Sequence, residues 1–309
     1  MKKIIVSTFA GLILLTLSFA GLLMDFDVQG HRGCRGLYPE NTLAGFRYAM
    51  ETVGVDTIEL DVGISKDLIL VVNHDTYLNP ERTMKDGSFI SEKIYIKDLT
   101  LEQIKTYSVG RIQNRFSFFK QKQLNEEPIP TLQEVIDLVI SFNKSSEKKI
   151  KMNIETKIDA LEPHQTYESH IFVNLLLEII EKNNIEEVVS IQSFYWKPIM
   201  DIKKQAPQIR TVALLSKTRL KDLEWFNGID PEDYSSFAEF IKASNADCLS
   251  MNYMDISEQQ IFDVQSLGIK VIPYTINDEA TMRRFISLGV NGIITDYPDV
   301  LMTVLETCQ

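Results

Sequence analysis

Two acidic residues close together in the chain, Glu59 and Asp61, are the first whose types and spacing could do chemistry. They stand two apart in "TIELDV" (57–62), and side chains two apart on a β-strand point to the same face. The residues around them are mostly apolar or β-branched, which indicates a buried strand, although a solvated edge strand is the alternative. Two buried carboxylates destabilise a fold unless something neutralises their charge.

A third carboxylate, Glu155, lies in "NIETK" (153–157) on what we predict to be the neighbouring strand. Three carboxylates with no thiol nearby favour a hard divalent cation, Ca²⁺ or Mg²⁺, because these ions bind oxygen ligands. Zinc would use cysteine or more histidine. The three cysteines, Cys34, Cys248 and Cys308, have no metal-ligand spacing and are too few for a disulfide framework.

Two of the four histidines, His31 and His74, stand in the polar contexts "GHRG" and "NHD". A single histidine is more often structural than catalytic. Two that follow strands at the same end of one fold favour proton transfer, because an imidazole titrates near neutral pH. Asp75 could orient a ring or cap the following turn. His164 and His170 are expected at the surface or at a helix start.

Positive charge near the acids comes from Arg32 and Lys157, which suit the oxygens of a phosphate, balance the three acids, or do both. Glu40 and Asn41, in "PENT", are expected to hold the His31 loop or a metal ligand, and Thr42 is expected to cap the next helix. Three aromatic residues could form pocket walls or simply belong to the core: Phe194, Tyr195 and Tyr274.

These residues can act together only if the fold brings them to one end. Short apolar runs alternate with amphipathic helices, which predicts parallel βαβ units. Eight such runs over about 250 residues favour a (β/α)8 TIM barrel, whose strand carboxyl ends form the active face; a doubly wound open sheet is the alternative. The predicted strands are 25–30, 56–62, 149–155, 188–194, 209–215, 246–251, 270–275 and 292–296. The helices predicted between them include 42–54, 131–143, 170–184, 257–268 and 278–289.

Two stretches depart from this alternation. Residues 63–75 indicate a hairpin with its turn at "SKD". In such a hairpin the numbers of two paired residues sum to about 132. This register sets His74 almost opposite Ile58 and Glu59. Residues 77–130 indicate an insertion or cap over one end of the barrel, or else a passive surface excursion. We therefore expect one domain with one elaborated loop.

The N-terminal segment, 1–24, has the form of a secretory signal peptide: Lys2 and Lys3 precede an uncharged apolar run. Cleavage near Ala20 would leave an exported, periplasmic domain covering 25–309, whereas an uncleaved segment would anchor the protein at a membrane. The net charge of −11 disfavours nucleic acid as a partner.

Seven motifs occur in the order of the glycerophosphodiester phosphodiesterase family, which the chain resembles from about residue 26 to 302. They are "HRG" with "PENT" (31–42), "ELDV" (59–62), "HD" (74–75), "IETK" (154–157), "QSF" (192–194), "YTIN" (274–277) and "TDYP" (295–298). The resemblance implies a (β/α)8 barrel with an insertion after the "HD" motif. It also implies hydrolysis of glycerophosphodiesters to sn-glycerol 3-phosphate and an alcohol.

The same resemblance implies a role for each matching residue. These roles are general acid and base for His31 and His74, Ca²⁺ or Mg²⁺ ligands for Glu59, Asp61 and Glu155, and phosphate contacts for Arg32 and Lys157. Tyr274 stands where members commonly carry tryptophan, which leaves the shape of the alcohol pocket open. Two alternatives are a phospholipase-like enzyme acting on lysophospholipids or lipid-linked head groups, with an apolar groove at "RFSFFK" (115–120), and a non-catalytic phosphodiester-binding protein.

Overall fold

A computed structural model describes residues 26–114 and 118–307 of the chain. The strands of the main sheet and its hairpin arm are β1 (Asp27–Gly30), β2 (Thr57–Ile64), β3 (Leu70–Val72), β8 (Lys151–Thr156), β9 (Val189–Ser193), β10 (Arg210–Leu215), β11 (Cys248–Met251), β12 (Lys270–Val271) and β13 (Gly292–Thr295). The insertion carries β4 (Tyr77–Leu78), β5 (Met84–Lys85), β6 (Ser88–Phe89) and β7 (Ile94–Tyr95). Eight parallel strands lie side by side in the order β12-β11-β10-β9-β8-β2-β1-β13.

Backbone hydrogen bonds join the two ends of this sheet. The Ile294 amide donates to the Pro273 carbonyl at 3.0 Å, and the Ile276 amide donates to the Ile294 carbonyl at 3.1 Å. The predicted seventh strand, 270–275, is reduced to β12 because Pro273 has no amide hydrogen with which to continue a regular ladder. The predicted (β/α)8 barrel is confirmed, and the open sheet was the wrong alternative.

Helices follow the barrel strands and cover the outside of the barrel, except for the short helix Leu101–Ile104, which belongs to the insertion. They are α1 (Leu43–Tyr48), α2 (Leu101–Ile104), α3 (Leu132–Ser145), α4 (Ser169–Asn183), α5 (Trp196–Gln205), α6 (Phe237–Ala243), α7 (Glu258–Ser266), α8 (Glu279–Ser287) and α9 (Pro298–Thr307). Thr42 caps α1 as expected, its hydroxyl accepting the Gly45 amide at 3.1 Å. Within the two described ranges, no helix has the length and apolar character that crossing a membrane requires.

The hairpin after β2 forms, but its register differs from the predicted one. Val62 pairs with Val72 and Ile64 with Leu70, so the paired residue numbers sum to 134 instead of 132. The turn runs from Ser65 to Ile69 and is therefore centred one residue later than "SKD". As a result, His74 follows β3 beside the Asp61 end of β2, and the predicted position opposite Ile58 and Glu59 was wrong.

The insertion has a small apolar core of its own. Its strands form two two-stranded antiparallel sheets, β4 with β7 and β5 with β6. Buried side chains join it to the hairpin: Val71, Leu78, Ile96, Ile104, Tyr107 and Ile129. This packing fixes the insertion against the β2–β3 hairpin.

Candidate active site

The three predicted acids lie together at the carboxyl end of two adjacent strands. Asp61 on β2 is the register partner of Glu155 on β8, and Glu59 precedes Asp61 by two residues on the same face. Carboxylate oxygens of all three lie within 4.8 Å of one another, and all three residues are buried. All eight residues of β2 are buried, so the solvated edge strand was the wrong alternative.

Burial and mutual repulsion shift the pKa values of these three carboxyl groups. Burial raises the pKa of Glu59 well above its ordinary value, and the charges of Asp61 and Glu155 raise it further. Burial also raises the pKa of Glu155. For Asp61 burial acts in the same direction, but Lys157, His74, Arg32 and the Asn41 hydrogen bond together outweigh it and the pKa falls. The full negative charge of the three carboxylates is therefore disfavoured unless a cation stabilises it.

Hydrogen bonds from other elements orient the acids. Glu59 accepts the Arg32 backbone amide on Oε2 and the Gln192 side-chain amide on Oε1, both at 2.8 Å. The Asn41 side-chain amide donates to Asp61 Oδ2 at 2.8 Å. The loop that carries "HRG" and "PENT" is thereby tied to β2, and its residues Arg32 and Asn41 both have positive φ.

Two buried cations sit against the same acids. Lys157 Nζ lies 2.6 Å from Glu155 Oε1 and 3.4 Å from Asp61 Oδ1. Arg32 lies 2.9 Å from Glu40 Oε1 through Nη1 and 3.4 Å from Asp61 Oδ2 through Nε. Burial alone would lower the pKa of Lys157, but Glu155 and Asp61 raise it overall, so its ammonium group stays protonated.

Each predicted catalytic histidine has one ring nitrogen on a carboxylate. His31 Nδ1 lies 2.6 Å from Asp296 Oδ1, and His74 Nδ1 lies 2.8 Å from Asp75 Oδ1. A carboxylate can only accept at neutral pH, so Nδ1 carries the hydrogen and Nε2 is left for a substrate. Burial lowers the pKa of both histidines, and that of His74 falls to about 4.

Asp296, expected at the active face because it ends the eighth predicted strand, has a role that its sequence position did not predict. Besides His31, it accepts the Asn277 side-chain amide at 2.8 Å, and Arg35 Nε lies 3.3 Å away. The available signal was its position: "TDYP" puts an acid directly after the eighth barrel strand, where active-face residues occur. No short spacing links it to His31, because 265 residues separate them.

A cavity of about 460 Å³ collects these groups. Eight of the twelve predicted site residues line it: His31, Arg32, Glu59, His74, Glu155, Lys157, Phe194 and Tyr274. The other four contact those eight: Glu40, Asn41, Asp61 and Asp75. Phe194 and Tyr274 meet edge to face with ring centres 6.0 Å apart, and the Tyr274 hydroxyl donates to the Leu215 carbonyl. Tyr195 instead stands at the start of α5.

The insertion also reaches this site. Arg82 pairs with Glu40 through Nη1, and its Nη2 lies 3.6 Å from Asp75 Oδ2. The Phe118 ring lies 4.5 Å from the Arg35 guanidinium. A passive surface excursion does not account for these contacts, since they join the insertion to the loops of both histidines.

Comparison with known proteins identifies the family of this chain. The model of the glycerophosphoryl diester phosphodiesterase family matches residues 31–300. The chain belongs to this family. It is 33% identical over 280 residues to a glycerophosphodiester phosphodiesterase of Caldanaerobacter subterraneus subsp. tengcongensis, covering 90% of this chain and 97% of that protein. The family resemblance and the predicted enzyme class, a phosphodiesterase, are confirmed.

Solved structures agree on the architecture of this phosphodiesterase. A protein of Silicibacter pomeroyi DSS-3 assigned to the same class superposes with a TM-score of 0.82 at 26% identity, covering 92% of this chain and 94% of that one. A phosphodiesterase of Oleispira antarctica, solved in complex with the product sn-glycerol-3-phosphate, gives a TM-score of 0.69 at 23% identity, covering 91% and 96%. The second comparison shows a shared fold.

Proposed function

We propose that this protein hydrolyses glycerophosphodiesters to sn-glycerol 3-phosphate and an alcohol. One observation carries the proposal: three clustered acids and two carboxylate-backed histidines adjoin a single cavity. The relative from Caldanaerobacter and the Oleispira product complex support the substrate class. A protein that only captured phosphodiesters would not need paired groups for proton transfer.

The acids fit a divalent cation. Glu59, Asp61 and Glu155 offer oxygen ligands within 4.8 Å of one another, and a bound cation would stabilise the ionised form of Glu59, which burial and its acidic neighbours disfavour. We propose Ca²⁺ or Mg²⁺, because both ions prefer such ligands. When bound, the cation would supply Lewis-acid polarisation of a phosphate oxygen.

The chain's own residues account for the proton transfers. One histidine takes the proton through its free Nε2 from the attacking oxygen, which then bonds to phosphorus. This oxygen belongs to water or to the glycerol 2-hydroxyl; the second route gives a cyclic phosphate, which water opens to glycerol 3-phosphate. The other histidine, whose protonated form the negative charge of the bound phosphate favours, gives a proton to the alcohol oxygen as the phosphorus–oxygen bond breaks. Arg32 and Lys157 hold fixed positive charge where the phosphate oxygens would lie. Asp75 and Asp296 keep the rings oriented.

Replacement of either histidine tests this mechanism. His31→Ala and His74→Ala should each lower kcat/KM for glycerophosphodiesters by about 10²- to 10⁴-fold, the usual contribution of one acid–base group. His170→Ala is the matched control, since that ring is exposed on the outer surface. Near-normal release of glycerol 3-phosphate by either site variant would contradict the assignment.

Metal dependence has a separate test. Treatment with EDTA should abolish hydrolysis, and restoring Ca²⁺ or Mg²⁺ one at a time should recover it and identify the better ion. Full activity after exhaustive chelation would contradict the cation site. Lysophospholipids, assayed alongside, test the phospholipase-like alternative: their turnover without turnover of glycerophosphodiesters would favour it.

We also propose that the protein is exported. The apolar run after Lys2 and Lys3 supports this, and residues 1–24 lie outside the described residues. Intact mass of the protein recovered from its native host should correspond to cleavage near Ala20. An unprocessed chain in the membrane fraction would indicate an anchor instead.

A further inference from the structure

A second pocket opens beside the catalytic cavity, on the side of His74. Its volume is about 210 Å³, and it shares five residues with the larger cavity: His74, Glu155, Lys157, Phe194 and Arg219. A group leaving the phosphate in this direction would enter a space bounded further out by Trp225 and Asp159. Arg219 lines both pockets, and the shape of neither one accounts for its role.

Arg219 is held face-on between two aromatic rings. Its guanidinium carbon lies 3.8 Å from the centre of the Phe194 ring and 4.5 Å from that of Trp225. Its Nη1 donates to the Ser216 hydroxyl at 3.3 Å, while Nε is buried without a hydrogen-bond partner. Contacts with two rings restrain the position of the guanidinium and leave donors for a ligand.

Arg219 differs from the other cations of the site in having no acidic partner. Arg32, Arg35 and Lys157 each lie within 4.0 Å of a carboxylate. Within residues 26–114 and 118–307, no carboxylate oxygen lies that close to Arg219. Its charge is therefore available to the pocket.

The groups that would recognise a cationic head group are already engaged. One face of the Phe194 ring and one face of the Trp225 ring are occupied by Arg219. Among the acids lining the pocket, Glu155 holds Lys157 and Asp75 holds His74. Asp159 accepts the backbone amides of Leu161 and Glu162. A quaternary ammonium that approached these two rings would meet the positive charge of Arg219.

We propose that this pocket is the head-group subsite and that Arg219 selects alcohols bearing a negative charge, a carboxylate or a phosphate. The inference rests on the proposed hydrolysis of glycerophosphodiesters and adds the class of leaving alcohol. A planar guanidinium binds such anions with two parallel hydrogen bonds, which gives both affinity and orientation. Because the Asp159 carboxylate lines the same pocket, Arg219 should favour only those anionic groups that reach the guanidinium without coming close to Asp159.

Paired substrates test the subsite, because each pair differs only by the anion. Glycerophosphoserine and glycerophosphoethanolamine differ by a carboxylate; glycerophosphoglycerol phosphate and glycerophosphoglycerol differ by a phosphate. In each pair the kcat/KM ratio of the wild-type enzyme should favour the anionic member by about tenfold or more. Arg219→Gln should bring both ratios close to one, whereas Arg219→Lys should keep part of the preference. Arg210→Gln, an exposed control at the other end of the barrel, should leave the ratios unchanged.

The outcomes separate this inference from the proposed function. Two outcomes would overturn the subsite alone, provided that the wild type releases glycerol 3-phosphate. In the first, the wild-type kcat/KM ratios are near one. In the second, Arg219→Gln leaves these ratios unchanged. In a variant of the second outcome, glycerol 3-phosphate also inhibits Arg219→Gln less strongly than the wild type while the kcat/KM ratios stay unchanged. That result would place Arg219 on the glycerol side of the site and would also overturn the head-group subsite. No release from any substrate by the metal-supplemented wild type would reject the proposed function itself.

Discussion

At the scale of single residues, proton chemistry at this site depends on the second nitrogen of each imidazole. Asp296 and Asp75 each accept from an Nδ1, which fixes the tautomer and aims Nε2 away from the supporting acid. Burial lowers the pKa of His31, while the Asp296 charge raises it and so limits the fall. The carboxylate therefore sets both the direction of the ring and its proton affinity.

Asp296→Asn should change both the orientation of the His31 ring and its pKa. Loss of the charge removes the group that raises the pKa of His31, so that pKa falls further. The limb of the kcat/KM profile that reports His31 then moves to lower pH: the acidic limb if His31 is the base, the basic limb if it is the acid. Loss of a defined acceptor also disorders the tautomer, and kcat should fall by about 10²- to 10⁴-fold. A pH series on the variant and on Asp263→Asn, a control on the outer helix α7 that does not line the cavity, measures both. A profile that only drops in height would indicate a structural role alone.

At the scale of elements, the β2–β3 hairpin and the insertion place His74. The hairpin register brings His74 beside the Asp61 end of β2. Arg82 then links the insertion to Glu40 in the first loop and to Asp75 behind His74. The insertion thus restrains the two loops that bear the histidines.

Arg82→Gln should loosen that restraint. Glu40 keeps Arg32 as a partner, so we expect a loss of only about 1–2 kcal/mol in the free energy of unfolding. Misplacement of His74 should lower kcat by roughly 10- to 100-fold. Urea unfolding and steady-state kinetics measure the two effects, with Arg111→Gln in the same insertion as the control. Unchanged kcat with lowered stability would show that Arg82 only stabilises the fold.

At the scale of the whole molecule, the barrel gathers like charges that no local segment would bring together. Glu59, Asp61 and Glu155 are buried at the end of β2 and β8, and burial with mutual repulsion raises the pKa of Glu59. Hydrophobic packing around the sheet must hold these charges in place. A cation that binds the folded state and not the unfolded chain should stabilise the whole barrel.

The melting temperature tests this coupling. A divalent cation at 100 times its dissociation constant adds about 2.7 kcal/mol, which corresponds to roughly 5–10 °C for a domain of this size. Glu59→Gln should remove most of that rise. It should leave the metal-free melting temperature unchanged or higher, because the uncharged amide relieves the repulsion. An undiminished cation-dependent rise in the variant would contradict Glu59 as a ligand.

Much of this molecule follows from sequence alone, because the determinants are local. Alternation of apolar runs with 3.6-residue periodicity defines the barrel strands to within a few residues, and i, i+2 spacing puts Glu59 and Asp61 on one face. Ordered motifs identify the family and name the histidines and acids. The N-terminal segment stays a sequence-based prediction, since it lies outside the described residues.

Only the tertiary structure decides the contacts between distant segments. The pairing of His31 with Asp296, the reach of Arg82 to both loops and the unpaired Arg219 between two rings have no signature in local spacing. The hairpin register was missed by one residue at its turn because turn chemistry constrains a centre only loosely. Side-chain periodicity is a property of one element, whereas charge pairing depends on which elements the closed barrel brings together.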